Sequence, residues 1–234
     1  MKPLEPAPFP RPASVREAAA IQRTLRDQVS LEGDLSGVRY LAALDASHPT
    51  RFSPQQGASV AAAVLWDREA GRGVEITTAL VDEASLFPYV PGFLSFREAP
   101  SYLAALAKLS AQPELLLVDG QGVAHPRGLG IASHLGVHLD MPSIGVAKSL
   151  LYGQPEGELP EEAGSAVRLV ARGQQIGWMY RSRAKAQPLY VSPGHRVGMA
   201  ESLEFVRSLG GKTRLLEPLR RAHLEAGEVR RRLG

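Results

Sequence analysis

Glu114-Leu115-Leu116-Leu117-Val118-Asp119-Gly120 is an unbroken apolar run closed by an acid and a glycine. A strand that is apolar at every position has no face left for water, so it belongs inside a mixed or parallel sheet covered on both sides. Working toward the N-terminus, Val38–Ala46 is a second short apolar run, carrying Asp45 at its end. Between the two lie Gly57–Asp67 and Gly73–Val81, rich in Val, Ile, Thr and Ala and separated by Arg68-Glu69-Ala70-Gly71-Arg72. Three consecutive antiparallel strands are the reading of that pattern. Helical spacing of Ala18, Ile21, Leu25 and Val29 predicts a first helix from Ser14 to Leu31. Ser14 followed by Glu17 makes a capping box at its start.

Ser95–Ala111 reads as a helix with Tyr102, Leu103, Leu106 and Leu109 on its apolar side, and Leu129–Leu139 as another. Ser143–Ala147 is a further short buried strand. Beyond Pro155 the pattern predicts a hairpin (Ala166–Val170 with Gln174–Tyr180), a short strand at Leu189–Ser192 and two closing helices. The order β-β-β-α-β-α-β is an antiparallel meander followed by helical crossovers. It predicts an α/β fold with a central mixed five-stranded sheet flanked by helices, the order of the ribonuclease H-like architecture.

The chain of 234 residues is long enough for one domain, residues 1–234, that buries roughly three-quarters of its unfolded surface. Residues 1–12, crowded with proline, read as a flexible N-terminal segment. There is no cysteine, which excludes disulfides and any Cys-based zinc or nucleophile site. No run of about 18 apolar residues and no signal-peptide core occurs, so the expectation is a cytoplasmic, monomeric enzyme that does not engage a membrane. The net charge of +3 is mild, but 22 arginines stand against five lysines. Arginine forks onto phosphate in a bidentate fashion, and a GC-rich genome choosing arginine codons gives the same count. Composition alone leaves nucleic-acid binding open.

Three carboxylates stand out by position: Asp45 at the end of the first strand, Asp119 at the end of the fourth, and Glu98 near the start of a helix. Ligands gather at the carboxyl ends of strands in an α/β sheet. If the first and fourth strands are parallel neighbours, Asp45 and Asp119 lie side by side, where two buried carboxylates repel. A divalent cation resolves that cost, and all-oxygen ligation favours Mg²⁺, with Mn²⁺ substituting. The plainer reading of each acid alone is a turn residue or a helix cap. Lys148 closes the strand Ser143–Ala147, where a point cation beside acids can steer a phosphate. Pro88 and Pro91 stiffen the loop around Tyr89-Val90. A rigid loop presenting an aromatic suits prying apart a base stack, and equally suits packing into the core. Glycines after Asp119, in Gly120-Gln121-Gly122, permit close backbone approach to a ligand. They form neither a phosphate loop of the Walker type nor a dinucleotide fingerprint.

Taken together these stretches resemble the endonuclease V family. The resemblance rests on Leu44-Asp45-Ala46-Ser47, on Pro88-Tyr89-Val90-Pro91-Gly92-Phe93-Leu94-Ser95-Phe96-Arg97-Glu98, and on Asp119-Gly120 through His125-Pro126-Arg127. It continues through Ala132-Ser133-His134-Leu135-Gly136 and Ile144-Gly145-Val146-Ala147-Lys148, spanning roughly residues 15 to 220. Small departures are Val90, where isoleucine is usual, and Gln121, at a variable position. The resemblance implies a ribonuclease H-like fold with Asp45, Glu98 and Asp119 as metal ligands, and Lys148 and His125 near the scissile phosphate. It implies Tyr89 as a wedge in the Pro88–Pro91 loop, and Gly92, Leu94 and Gly120 as walls of a pocket for a flipped base, with Arg97 in the same substrate-binding block. His223, past the well-matched stretch, stands where a late active-site histidine is implied. The implied reaction is Mg²⁺-dependent hydrolysis of the second phosphodiester bond 3′ to deoxyinosine in DNA, leaving 3′-hydroxyl and 5′-phosphate ends. Some members prefer inosine in RNA. Competing readings are an inosine-specific endoribonuclease and another ribonuclease H-like repair nuclease, which would lack the Pro-Tyr-Val-Pro loop. A non-catalytic inosine-binding module has no need of the acids, and a small-molecule enzyme using the glycine loop leaves the wedge block unexplained.

Overall fold

The structure, a computed structural model, describes residues 7–49, 58–82 and 85–233. Gly57, part of the expected second strand, and residues 1–6, part of the expected flexible N-terminal segment, lie outside the described residues. The order is α1 (Val15–Arg26), β1 (Tyr40–Ser47), β2 (Ala58–Asp67), β3 (Arg72–Asp82), α2 (Leu94–Leu106), β4 (Leu115–Val118), α3 (Ile131–Leu139) and β5 (Ser143–Ala147). There follow β6 (Gln154–Pro155), β7 (Ala166–Ala171), β8 (Gln174–Tyr180), β9 (Leu189–His195), α4 (Met199–Ser208) and α5 (Glu217–Arg232).

The strands form one sheet in the order β3-β2-β1-β4-β5-β9-β8-β7-β6. β1, β4 and β5 are parallel, while β2 and β3 on one flank and β9 to β6 on the other run antiparallel to their neighbours. The meander and crossovers expected from the sequence are present, but the sheet has nine strands and not five. The hairpin β7–β8 does not stand apart. β9 pairs with the open edge of β5, burying Leu189 and Val191 completely, and carries the hairpin into the same sheet. Covering the β5 edge removes a row of unpaired backbone groups.

Strand alternation sorts the side chains into two cores. Leu41, Ala43, Leu115, Leu117, Ile144 and Val146 face α4 and α5. Ala42, Leu44, Leu116 and Val118 face α1, α2 and α3. With both faces covered, the parallel strands are apolar through Leu41–Leu44, Leu115–Val118 and Ile144–Ala147, which is why they read as continuous apolar runs.

Ser14 caps α1 through its Oγ, which accepts from the Glu17 amide at 3.2 Å, while the Glu17 carboxylate accepts from the Ala13 amide at 2.7 Å. The helix stops at Arg26, short of the expected Leu31, because Ser30 is bound away. The Ser30 amide donates to His195 Nδ1 at 3.2 Å and its carbonyl accepts from the Arg196 amide at 2.8 Å. α2 likewise ends at Leu106 and not at Ala111. The proline-rich segment is not loose throughout. Phe9 is buried, its ring 4.4 Å from that of His134 and 6.2 Å from that of Phe96.

Candidate active site

The pairing of β1 with β4 sets Leu41 beside Leu115 and Leu44 beside Val118, so the next residues along are Asp45 and Asp119. Pairing of β4 with β5 sets Val118 beside Gly145, so Lys148 stands two residues beyond the position next to Asp119 and its long side chain reaches back to the acids. Each of these three residues extends a same-face stripe: Leu41-Ala43-Asp45, Leu115-Leu117-Asp119 and Ile144-Val146-Lys148. Period-2 alternation on three adjacent parallel strands therefore delivers two acids and a lysine to one spot at their carboxyl ends. Lys148 Nζ donates to Asp119 Oδ2 and lies 3.7 Å from Asp45 Oδ2.

α5 covers the same face, and His223 Nδ1 comes within 2.7 Å of Asp45 Oδ2. The other Asp45 oxygen accepts from the Ala46 amide at 2.8 Å. From the opposite layer, α2 brings in Glu98, whose Oε2 accepts from the buried Tyr102 hydroxyl at 3.1 Å. His48 Nε2 stands 2.6 Å from Glu98 Oε1, and its Nδ1 2.5 Å from Ser59 Oγ. Burial raises the Tyr102 hydroxyl far above the ordinary phenol range, and Glu98, Asp45 and Asp119 all add to it. Glu98 thus hydrogen-bonds this phenol directly, while the charges of Asp45 and Asp119 act on it through space. Burial and the Asp45 carboxylate push Asp119 up to about 7, although Lys148 pulls the other way. Burial lowers the Lys148 ammonium, but Asp119 and Asp45 outweigh it and leave the group raised.

Among the described residues no three acidic or histidine side chains already form a cage around a metal position. Each acid is turned toward a cation or donor. The donor set still fits a hard divalent ion, because Asp45 and Asp119 are adjacent carboxylates whose mutual repulsion one lysine does not cancel. Carboxylate oxygens of this kind suit Mg²⁺ or Mn²⁺.

Beside the acids is a pocket of about 120 Å³, the scale of one heterocyclic base, walled by Tyr89, Val90, Pro91, Gly92, Leu94 and His125 among others. Its rim is a turn: the Phe93 amide donates to the Val90 carbonyl at 3.0 Å, with Pro91 and Gly92 between. Gly92 has φ +80°, so Pro91-Gly92 makes the central pair of a type II turn, which needs glycine in the second position. The Gly92 carbonyl is held by three donors. Gln22 Nε2 lies at 3.1 Å, His125 Nε2 at 3.0 Å and Arg127 Nη2 at 2.5 Å, while Arg127 Nε also donates to Gln22 Oε1 at 2.5 Å. Arg127 stacks over the Phe93 ring at 4.1 Å. Tyr89, at the tip of this clamped loop, is 71% exposed.

The other expected residues are placed as follows. His125, expected near the scissile phosphate, stands in the pocket wall with both ring nitrogens engaged by Gly92 and the Arg127 amide. Gly120 lies behind the wall; a Cβ there would come 2.5 Å from Ile131 Cγ2, so its smallness serves strand-to-helix packing. Arg97 is outside the pocket and props the loop by donating to the Phe87 carbonyl at 3.1 Å. Pro88 likewise sits outside it, lining a separate hollow with Phe87. Sequence reasoning missed His48, Gln22 and Arg127's part in the clamp. Gln22 had a signal: it is a polar residue next to the apolar stripe of α1, yet only 1% exposed.

Two buried imidazoles are held neutral. Burial lowers His125 to about 4, with Arg127 adding to it, and lowers His134 to about 3, with His138 adding. Their folded values lie below the unfolded value near 6.5. The stability each contributes is therefore present above pH 6.5 and lost as pH falls toward 4. Asp119, raised in the fold, runs in the opposite sense, so stability is best followed in an Asp119→Asn background. There a loss of about 2 kcal/mol per histidine is expected at pH 5 relative to pH 8. The imidazole proton shifts of both residues in NMR should stay flat over that interval. A titration centred near 6.5 would show that they are open to solvent.

A mixed sheet whose parallel centre ends in two acids and a lysine, beside a base-sized pocket, defines a ribonuclease H-like domain with an acidic centre. The model of the endonuclease V family matches residues 23–224. Endonuclease V of Thermus thermophilus is 63% identical over 227 residues, covering 97% of this chain and 98% of its own. The crystal structure of endonuclease V from Streptomyces avermitilis superposes with a TM-score of 0.87 at 37% identity, covering 97% of each chain. That of Ciona intestinalis endonuclease V, solved with a 24mer DNA containing an inosine followed by a ribo-adenosine, superposes with a TM-score of 0.81 at 25% identity, covering 94% of this chain and 98% of that one. The chain belongs to the endonuclease V family.

Proposed function

We propose that the protein is a single-domain, Mg²⁺-dependent endonuclease that cuts DNA beside deoxyinosine, at the second phosphodiester bond to its 3′ side. The observation that carries this reading is the meeting of Asp45, Asp119 and Lys148 next to a base-sized pocket rimmed by an exposed tyrosine. Family membership and the inosine-containing DNA bound by the Ciona relative support it. The ribo-adenosine in that complex makes inosine-containing RNA the second substrate to try.

Asp45, Asp119 and Glu98 would hold the Mg²⁺, which when bound supplies charge neutralisation to the phosphate oxygens of the reaction. Lys148 Nζ, already between the two aspartates, places a further positive charge where the pentavalent phosphate gathers negative charge. His223, oriented by Asp45 through Nδ1, can exchange a proton at Nε2. The clamp on the Gly92 carbonyl keeps the loop rigid, so Tyr89 enters the base stack without first being ordered. Extracting inosine costs least because it is poorly paired. His125, neutral, lines the pocket wall without adding charge to it.

The test is cleavage of matched oligonucleotides carrying inosine, uracil or an abasic site, with parent protein and Tyr89→Ala. The parent should cut the inosine duplex in Mg²⁺ and leave 3′-hydroxyl and 5′-phosphate ends. Base stacking on an aromatic is worth about 1–3 kcal/mol, so Tyr89→Ala should bind inosine duplex roughly ten- to a hundredfold more weakly. Exposed as it is, Tyr89 should leave the melting temperature nearly unchanged. Normal binding by Tyr89→Ala would refute the wedge, and no inosine-dependent cutting by the parent would refute the function.

A further inference from the structure

A second concavity, of about 560 Å³, opens behind the pocket wall between α1 and the β7–β8 hairpin. It shares His125 with the base pocket, so the two are continuous through one side chain. Arg23, Arg26, Arg127 and Arg172 line it, and no acidic residue does. For a protein whose net charge is only +3, that is a concentrated field. Arg23 is close enough to Arg127 to depress its guanidinium further, after burial. Neither Arg23 nor Arg172 has a salt bridge to a described residue. Arg26 has the exposed Asp27 beside it at 3.6 Å. Like charges gathered with so little neutralisation are unfavourable in the free protein and become favourable when an anion joins them.

The backbone at Arg172 is a second, independent sign. Ala171 pairs with Gln174, leaving a two-residue turn in which Arg172 has φ +51° and Gly173 φ +75°. Positive φ at both central positions is the type I′ geometry, for which Asn-Gly is the favoured pair. Arginine in the left-handed region costs on the order of 1 kcal/mol. A residue that is poor for the turn but correct for the groove points to a use for its charge. On the other wall, Arg26 lies across Gly128, where a Cβ would come 3.0 Å from its Nε.

We infer that this groove is a track for the nucleic-acid backbone, in which Arg23, Arg26 and Arg172 contact phosphates of the strand leading into the base pocket. The inference rests on the nuclease function proposed above. Phosphate contacts position the strand and carry no base information. The groove thus sets affinity and register, while the pocket sets the choice of inosine.

The test is the salt dependence of binding to an inosine duplex and to the same duplex with adenine, in Ca²⁺, for the parent and for Arg23→Gln/Arg172→Asn. Asparagine suits the I′ turn, so the variant should melt at or above the parent temperature, which separates lost charge from lost fold. Two lost phosphate contacts should lower the slope of log K against log salt by about 1.8. Affinity for both duplexes should then fall by an order of magnitude or more near 0.1 M salt, with the ratio between them unchanged. Parallel salt plots for variant and parent would overturn the track, as would a variant that loses only its preference for inosine. If the parent itself shows no inosine preference, the proposed function fails and the groove is judged on the slope alone.

Discussion

Asp119→Asn is expected to lower the single-turnover rate on inosine DNA by at least about 10³-fold, while binding in Ca²⁺ persists. Metal-based charge stabilisation contributes several kcal/mol to phosphodiester hydrolysis, and about 4 kcal/mol is a factor of 10³. The same substitution should raise the melting temperature of the metal-free protein. Asp119 is buried against Asp45 and pushed up to about 7, so a neutral amide of the same shape relieves a like-charge contact. Asparagine can still accept from Lys148. The paired outcome, a more stable and inactive enzyme, is what a carboxylate kept for function produces. Mg²⁺ should raise the parent's melting temperature and leave that of the variant nearly unmoved. Undiminished cutting by the variant, or equal Mg²⁺ stabilisation of both proteins, would remove Asp119 from the metal site.

Lys148→Ala should lower the single-turnover rate by about 10²- to 10³-fold, the range seen on removing one charge-stabilising donor. Its effect on stability has a different signature. Lys148 neutralises Asp45 and Asp119 in the metal-free protein, and its side chain is 36% exposed, so solvent screening reduces the cost of deleting it. The variant should be less stable than the parent at pH 8, and the gap should narrow at pH 5, where Asp119 takes up a proton. Mg²⁺ should stabilise the variant more than the parent, because it supplies the missing positive charge. A Lys148→Ala enzyme with the parental rate at saturating enzyme would make the residue a structural counter-ion only.

Much of the fold was legible because its central strands are covered on both faces. Leu115–Val118 and Ser143–Ala147 read as buried strands from composition alone, and the latter is observed residue for residue. The co-location of Asp45 and Asp119 followed from one assumption, that β1 and β4 are parallel neighbours, and that pairing is present. What failed to show was whatever depends on contacts between distant segments. Nothing local in Leu189–His195 says that it fills the edge of β5, so the sheet was counted as five strands where there are nine. His48, three residues past Asp45, looks like an ordinary loop histidine until α2 brings Glu98 to its ring.

By itself the sequence determined which residues are apolar and with what period, and so which strands are buried, which helices are capped, and which acids end the central strands. Those are properties of spacing along the chain. Tertiary structure alone decided that His223 reaches Asp45 across a separation of 178 residues, and that Gln22 and Arg127, 105 apart, close on the Gly92 carbonyl. It also decided that His125 belongs to the pocket wall and not to the acidic centre. The physical reason is that a hydrogen bond between distant segments leaves no periodic trace in either one. Its geometry exists only once the two cores have packed and fixed the helices against the sheet.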